Sequence, residues 1–219
     1  MKRRTLDLMF SVGGLLLAGL LVVMGVVLTS NSNFAKNYTH DQLALQQISF
    51  KPASALTAEE KAQPCLVQYA GRALSTGKQA ECYANHFIAL HLKTAASGRT
   101  YATQGDFING LKADLATAQK ATPPDPAKIA DLNSQITTAT AVRTTLFQGE
   151  TLRGLLLTSY GFSVFGVKGG QAASALYIVS ALLMLLSLAG LYHAYRTPKS
   201  AGFAVPETAG NGQKVLVNA

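Results

Sequence analysis

Two cysteines, Cys65 and Cys82, are the residues of this chain whose type and spacing most directly predict a chemical event. If their segment lies in an oxidising compartment, the even count favours one disulfide. Such a bond closes a loop of about 18 residues, which the chain-entropy model values at roughly 3 kcal/mol. The alternative is two unpaired structural thiols, because a lone pair at this spacing is not typical of a redox or zinc motif.

His86 and His91 are the one histidine pair to be weighed as metal ligands. They lie five positions apart, so on a helix their side chains point in directions that differ by about 140°. A helical metal site uses a spacing of about three or four residues, and no cysteine or carboxylate stands in register to complete a ligand set. We therefore expect no metal and no cofactor. We predict that His91, on the apolar side of its helix, is a core histidine.

The other reactive residue types form no catalytic pattern. No serine stands in a nucleophile elbow, Glu81 beside Cys82 makes no nucleophile arrangement, and the Gly169–Gly170 pair lacks the context of a phosphate loop. Glu150 and Arg153 are spaced as a surface ion pair; the alternative is a conformational latch beside a membrane. We predict that the chain is not an enzyme.

Two apolar runs flank the central residues and predict that the chain is anchored in a membrane. Leu8 to Leu28 is a run of 21 residues and Ala172 to Leu191 is a run of 20, and neither contains Asp, Glu, Lys, Arg or His. Each is about as long as a helix that crosses a hydrocarbon core of roughly 30 Å. The runs predict transmembrane helices at 8–28 and 172–195. Without an interior charge, they do not suit an ion or proton pathway.

The distribution of basic residues predicts the topology. Five basic residues stand on the terminal sides of the two runs: Lys2, Arg3, Arg4, Arg196 and Lys199. Only Lys36 and Lys168 lie close to the runs on the other side. The positive-inside rule therefore predicts a plasma-membrane protein whose termini, 1–7 and 196–219, are cytoplasmic and whose central segment is extracytoplasmic.

The N-terminal run has an alternative interpretation as a signal peptide, and the net charge has one as a sign of nucleic-acid binding. A cleaved signal peptide could begin the chain, but we expect an uncleaved anchor because the run exceeds the 7–15 or so residues of a signal core. The net charge of +8 could suggest nucleic acid, yet residues 29–171 carry 13 basic and 9 acidic side chains. We expect membrane lipids as partners and no nucleic acid.

Each run carries a stripe of small residues at helical spacing. The two stripes comprise Ser11, Gly14, Ala18 and Gly25 in the first run, and Ala173, Tyr177, Ser180, Met184 and Ser187 in the second. Small faces let helices approach closely in lipid. The stripes predict either packing of the two runs on each other or docking onto another integral membrane protein, or onto a second copy of this chain.

The central domain, 29–148, is predicted to be helical. Thr57 with Glu60, and Thr76 with Gln79, fit capping boxes at the start of two helices that the predicted disulfide would join. The helical patterns within residues 104–147 predict a projecting antiparallel helical hairpin. Its second helix is capped by Asp125 and carries a coiled-coil-like seam formed by Ile129, Leu132, Ile136, Ala139, Arg143 and Leu146. Arg143 interrupts this seam near its base.

The segment 149–171 is apolar and aromatic and contains Gly154, Gly161 and Gly166. The glycines make a straight helix through it improbable, so we predict an interfacial segment that leads into the second run, or alternatively a part of the domain core. A possible apolar groove beside the membrane is formed by Leu156, Tyr160, Phe162 and Phe165. The fold class is thus an all-α membrane protein with two transmembrane helices flanking an extracytoplasmic helical domain.

Two stretches, TGKQAECYANHFIALHLK (76–93) and TLFQGETLRGLLLTSYGF (145–162), resemble a family of uncharacterised actinobacterial two-span membrane proteins. The opening residues 2–23 are similar in kind. The resemblance implies a helical outside domain in the cell envelope, and a cysteine pair that is a local addition. Family members often carry the automatic label aromatic ring-opening dioxygenase, which requires histidine and carboxylate metal ligands that this chain does not supply in a plausible set.

These observations predict a non-enzymatic accessory or scaffold subunit of a larger cell-envelope complex, such as a transport or respiratory assembly. The small-residue stripes, the hairpin and the missing catalytic pattern motivate this hypothesis. The alternative is a membrane-anchored binding or sensing module for an envelope lipid or another apolar ligand. The apolar segment at 149–170 motivates that second hypothesis.

Overall fold

The computed structural model describes residues 3–198. The first two residues and those from Lys199 onward, which include most of the predicted tail 196–219, lie outside the described residues. Within 3–198 the chain is helical, and the strand-like pairing is limited to one bridge between Ser49 and Ala73. The prediction of an all-α protein is confirmed for this part of the chain.

Seven α-helices, one 3₁₀ turn and one π-helical segment make up residues 3–198. They are α1 (Arg3–Leu45), the 3₁₀ turn (Ala53–Ala55), α2 (Ala58–Lys61), α3 (Pro64–Tyr69), α4 (Gly77–Cys82), the π-helix (Tyr83–Ile88), α5 (Ala89–Ala95), α6 (Tyr101–Lys120) and α7 (Pro126–Arg196). Both α1 and α7 are long and apolar enough to cross a membrane. They contain the predicted runs 8–28 and 172–195 and extend well beyond them.

The chain divides into two units. Among the described residues, one unit, which we call the paired-run unit, comprises residues 3–28 and 171–198, and the other is the helical unit Thr29–Gly170. Both α1 and α7 contribute residues to each unit. The candidate sites below are therefore described within one unit at a time.

The helical unit has a core built by short helices. Because α2, α3 and α4 have only four to six residues each, they are too short to be stable alone and depend on caps and packing. The Cys65–Cys82 disulfide joins α3 to α4, with the two Cα atoms 6.0 Å apart, so the predicted bond is present. The buried core residues are Leu43, Phe50, Leu66, Leu74, Ala80, Cys82, Ala84, Ile88, Leu92, Ala96, Leu146 and Leu156.

A second hydrophobic cluster lies between α6 and the first part of α7. Its buried members are Ile108, Leu111, Ala118, Leu132 and Ala139, with Leu115, Ile129 and Ile136 packed against them. The buried amide of Gln104 donates a hydrogen bond to the carbonyl oxygen of Ala139 at 3.0 Å. The apolar seam predicted from the sequence supplies the α7 side of this cluster.

The helix caps follow local sequence chemistry. Thr57 and Thr76 form the two predicted capping boxes, and the Asp125 carboxylate accepts hydrogen bonds from the first backbone N–H groups of α7. α6 begins at Tyr101, three residues before the predicted start, because Thr100 caps it. α5 ends before Gly98, which adopts a φ of +80°.

One expectation about the glycines was wrong. Residues 149–171 do not interrupt the backbone: α7 is one helix from Pro126 to Arg196. Several of these glycines are sites of close approach instead. A Cβ on Gly149 would lie 2.5 Å from the Leu92 side chain, and one on Gly166 would lie 3.0 Å from that of Ala35. A glycine in a helix costs about 1 kcal/mol, which packing along a helix of this length offsets.

Candidate functional site

The small-residue stripes of the paired-run unit contact each other. Ser180 Oγ donates a hydrogen bond to the carbonyl oxygen of Ala18 at 2.8 Å, and both residues are fully buried. Gly14 lies against the Ser187 side chain, and Gly190 against that of Ser11, so closely that neither glycine position has room for a Cβ. The structure thus contains the intramolecular packing that was one of the two predicted uses of the stripes.

The remaining stripe residues extend the same contact. A Cβ on Gly25 would lie 2.7 Å from the ring of Tyr177, and Ala173 is buried. Met184 is largely exposed instead. A side-chain contact that the sequence did not predict lies nearer the chain ends, where His193 Nδ1 is 2.9 Å from a carboxylate oxygen of Asp7. This pair escaped prediction because the two residues are far apart in sequence.

The four residues of the predicted apolar groove do not share one environment. Leu156 is only 3% exposed because it belongs to the hydrophobic core of the helical unit. Tyr160 stacks under the Lys78 ammonium, 5.4 Å from the ring centroid. Phe162 and Phe165 are exposed, Phe165 at 78%. Helical geometry explains the separation, since a continuous α7 directs residues 156 and 165 to different faces.

Four exposed aromatic residues of α1 and α7, which we call the aromatic row, are Phe34, Tyr38, Phe162 and Phe165; the first three contact one another in succession, and Phe165 follows Phe162 by about one helical turn. Phe34 and Tyr38 stack with ring centroids 5.6 Å apart, and Tyr38 meets Phe162 edge to face at 6.2 Å. Ser32 fixes the two helices below these rings, because its hydroxyl donates to the carbonyl oxygen of Gly166 at 2.6 Å. The row is part of the helical unit.

A buried carboxylate, Glu60, is the most unusual charged group of the helical unit. Its Oε1 lies 2.7 Å from Lys51 Nζ and 3.2 Å from His91 Nε2, and its Oε2 accepts the backbone N–H of Thr57 at 2.8 Å. Burial alone would raise the pKa of the Glu60 carboxyl. The hydrogen bonds from Lys51 and Thr57 and the nearby positive charges outweigh burial and hold that pKa below its ordinary value.

His91 is not the core histidine that the sequence predicted. Its side chain is 46% exposed and pairs with Glu60. The other ring nitrogen, Nδ1, lies 2.7 Å from the carbonyl oxygen of Phe87. Both ring nitrogens therefore face acceptor oxygens. The buried core position of this helix is taken by Leu92.

The π-helix, Tyr83–Ile88, shapes the surroundings of this cluster. The Phe87 ring contacts both Lys51 and His91, with Lys51 Nζ 5.2 Å from its ring centroid and the centroid of the His91 ring 4.3 Å away. Tyr83 stacks on Phe87 at 4.6 Å, and burial raises the pKa of the Tyr83 hydroxyl. The extra residue of a π-turn shifts the register of a helix, so it changes which side chains reach the core.

The other charged and polar groups of the helical unit also connect its elements. His86 is engaged with Gln63 at 2.7 Å, and the described residues contain no group of three or more His, Cys, Asp or Glu side chains placed to hold a metal. The predicted pair of Glu150 and Arg153 has a contact of 3.1 Å. Arg153 also donates to the side-chain oxygen of Asn85 at 3.1 Å, which connects α7 to the π-helix.

Sequence reasoning missed the Glu60 cluster for a specific reason. Glu60 was visible as the glutamate of a capping box, at the third helical position after Thr57, but that motif does not indicate burial. Lys51 and His91 lie 9 and 31 positions from it, and only the packed core brings them together. The one available signal of this ion pair was Lys51, which precedes the capping-box residue Glu60 by nine positions, and that spacing is a weak indication.

Comparison of the chain with protein-family models, with curated proteins and with solved structures finds no match in any of the three.

Proposed function

We propose that this chain is a non-enzymatic accessory or scaffold subunit of a larger cell-envelope membrane complex. In this proposal the paired runs are the anchor and the helical unit is the part that a partner recognises. The plasma membrane is the proposed location, with both termini cytoplasmic and the helical unit extracytoplasmic. The resemblance to actinobacterial two-span membrane proteins agrees with that setting.

The observation that carries the proposal is the aromatic row. Its four rings are 42% to 78% exposed, although the helical unit buries smaller apolar residues elsewhere. Contiguous exposed apolar surface is unusual unless another molecule covers it. Aromatic residues are also the type that is enriched in the cores of protein–protein interfaces. A neighbouring membrane protein would supply the missing cover.

The packing within the paired-run unit supports the same assignment. Ser11, Ala18, Ser180 and Ser187 are used for contacts inside the chain, so a partner would meet the outward faces, which carry large apolar side chains. Such faces suit lipid or another helix. The described parts of the two runs also carry no charged side chain between Leu8 and Leu28 or between Ala172 and Leu191. An anchoring role fits this composition better than a transport pathway.

Site-specific photo-crosslinking in the native cell tests the proposal. A photoreactive phenylalanine analogue is placed at Phe165 and, as the matched control, at Val67, which is exposed in α3 of the same unit. We expect the Phe165 probe to form an adduct with another envelope membrane protein and the Val67 probe to form none. Adducts at both positions with the same abundant proteins, or only lipid adducts at Phe165, would contradict the proposal.

The aromatic row also favours a second candidate function, a binding module for an envelope lipid or another apolar ligand. Phe34 follows Leu28 by six residues and Phe165 precedes Gln171 by six, so the rings flank both runs. Aromatic residues are typical of the interface between a membrane and water. Lipid mass spectrometry of the purified full chain separates the two functions. A retained lipid that is lost in Phe165→Asp and kept in Val67→Asp would favour the lipid-binding function.

A further inference from the structure

A groove between α6 and α7 is distinct from both the aromatic row and the Glu60 cluster. It has a volume of about 360 Å³, and the residues that line it include Tyr101, Lys112, Thr140, Arg143, Thr144 and Phe147. This volume falls within the range of about 300–1,000 Å³ that is typical of small-molecule sites. Arg143 is the residue that interrupts the apolar seam of α7.

The guanidinium of Arg143 is held in place from two sides. It lies over the ring of Tyr101, with the guanidinium carbon 4.3 Å from the ring centroid, and its Nε donates to the carbonyl oxygen of Tyr101 at 3.4 Å. Gly105 leaves the space that the group occupies, because a Cβ there would lie only 3.2 Å from the guanidinium. A guanidinium that is already stacked on a ring and held in place loses little conformational entropy when it binds a ligand.

The positive charge in this groove has no internal counterion. Among residues 3–198, no carboxylate lies within ion-pair distance of Arg143 or of Lys112. Arg153, further along α7, is by contrast paired with Glu150 at 3.1 Å. An arginine carries five N–H donors, and within residues 3–198 the hydrogen bond of Arg143 to Tyr101 uses only Nε. The terminal guanidinium nitrogens remain available to a ligand.

Exposed aromatic surface stands beside this charge. The rings of Tyr101 and Phe147 have centroids 6.0 Å apart and are 42% and 59% exposed. A ligand that met only the cations would leave these rings uncovered. A ligand that combined an anion with an apolar group would use both features of the groove.

We propose that this groove binds an organic anion in which a carboxylate or phosphate is attached to an apolar group. Arg143 pairs with the anion through its terminal nitrogens, in the two-pronged geometry that suits carboxylate and phosphate, and Lys112 adds a second charge. The apolar group covers the rings of Tyr101 and Phe147. The same chemistry is offered by a soluble organic anion and by an anionic lipid headgroup, and the test below distinguishes these sources.

The experiment uses the full chain in phosphatidylcholine nanodiscs at about 0.15 M salt, where exposed charges are screened over roughly 8 Å. Phenyl phosphate is titrated and its binding is followed by calorimetry, with inorganic phosphate as the anion that lacks an apolar group. We expect phenyl phosphate to bind and inorganic phosphate to bind at least about tenfold more weakly, a difference of about 1.4 kcal/mol. Equal affinities, or no binding of phenyl phosphate, would overturn the proposal.

Matched variants locate the binding. Arg143→Gln is expected to weaken phenyl phosphate binding at least about tenfold and Lys112→Gln a few-fold. Arg99→Gln is the control, because Arg99 likewise stacks on an aromatic ring, that of Phe107 at 4.0 Å, but does not line this groove. If Arg143→Gln does not fold, Gly105→Ala serves instead, since it keeps the charge and displaces the guanidinium. Unchanged affinity in the folded variants, or an equal loss in Arg99→Gln, would refute the site.

A second set of nanodiscs that contain phosphatidylglycerol distinguishes the two sources. If the lipid headgroup occupies the groove, the affinity for phenyl phosphate falls in these nanodiscs and Arg143→Gln removes the difference. If a soluble anion is the ligand, the affinity is the same in both kinds of nanodisc. The binding site is independent of the accessory function, so failure of one leaves the other standing.

Discussion

Ser180 donates a hydrogen bond to the carbonyl oxygen of Ala18 over 2.8 Å, at a point where both residues are fully buried. This contact joins the small-residue stripe of one apolar run to that of the other. Because the side chains are small, the two backbones approach closely enough for a side chain to bond a main-chain carbonyl. The pair of runs is therefore a packed unit with large apolar side chains on its outside.

Gly14 and Gly13 provide a matched test of this packing. Gly14 lies against Ser187 with no room for a Cβ, whereas a Cβ on Gly13 would meet nothing within 4 Å. We expect Gly14→Leu to destabilise the full chain in detergent by about 1–3 kcal/mol through overpacking. Gly13→Leu should leave thermal unfolding unchanged or raise its midpoint slightly. Equal behaviour of the two variants in a thermal-unfolding assay would contradict the observed packing.

Glu60 is expected to be a stabilising residue of the helical unit. Glu60→Gln keeps the shape of the side chain but removes the counter-charge of Lys51, so we expect a loss of about 1–3 kcal/mol. Glu59→Gln is the control, because Glu59 is exposed and its neighbour Glu60 makes the buried contacts. Chemical denaturation of the two variants measures the difference. A larger loss in Glu59→Gln than in Glu60→Gln would argue against this role.

The same carboxyl makes stability depend on acid. The pKa of Glu60 is lowered from 4.5 in the folded chain, so the unfolded chain binds the proton first as the pH falls. The contribution of Glu60 is therefore fully present above about pH 4.5 and is lost as the pH falls through the folded pKa. We expect the unfolding midpoint to drop as the pH falls below about 4.5, and Glu60→Gln to show a shallower drop. Parallel pH profiles for the two proteins would be inconsistent with this contribution.

The local features of the fold were predictable from the sequence, and the non-local ones were not. The capping boxes at Thr57 and Thr76 depend on residues three positions apart, and the small faces at Ala18 and Ser180 depend on helical periodicity. The burial of Glu60 depends instead on how the core packs around it. No periodic pattern encodes that burial, so the sequence predicted a cap, and the nearby Lys51 was only a weak signal of a buried ion pair.

Reduction of the Cys65–Cys82 disulfide should weaken the helical unit. The bond fixes α3 to α4, and both helices are too short to persist alone. We expect the double variant Cys65→Ser, Cys82→Ser to lose about 2–4 kcal/mol of unfolding free energy. Thiol labelling checks the bond directly. Labelling of either cysteine in native protein before reductant is added would show that the bond does not form in the cell.

The proposed topology predicts where a protease cuts. The loop around Thr122 to Pro126 separates α6 from α7, and its residues from Ala121 to Asp125 are exposed. Protease added to intact spheroplasts should cleave there and yield fragments of the sizes that this position predicts. Protection in intact spheroplasts, with cleavage only after lysis, would reverse the orientation.

The glycines of α7 show why the predicted apolar groove was not found in the structure. A glycine in a sequence is compatible with a break, with a close approach or, as at Gly154 and Gly161, with open space beside a continuous helix, and periodicity does not distinguish these. Gly149 and Gly166 are positions of close approach to Leu92 and Ala35. α7 is continuous through both glycines, and Leu156 lies in the hydrophobic core. The sequence shows Arg143 as an interruption of the seam. The position of its guanidinium beside Tyr101 and Gly105 depends on α6 and could not be predicted from the pattern of α7.

The most direct test of the proposed function is the mass and composition of the assembly that contains this 23.1 kDa chain in native membranes. The tagged full chain is extracted in mild detergent, sized by native mass measurement and its partners identified by mass spectrometry. We predict a particle that contains at least one other integral membrane protein, and whose yield falls in Phe165→Asp and not in Val67→Asp. A monodisperse monomer, or an oligomer of this chain alone, would contradict the proposal.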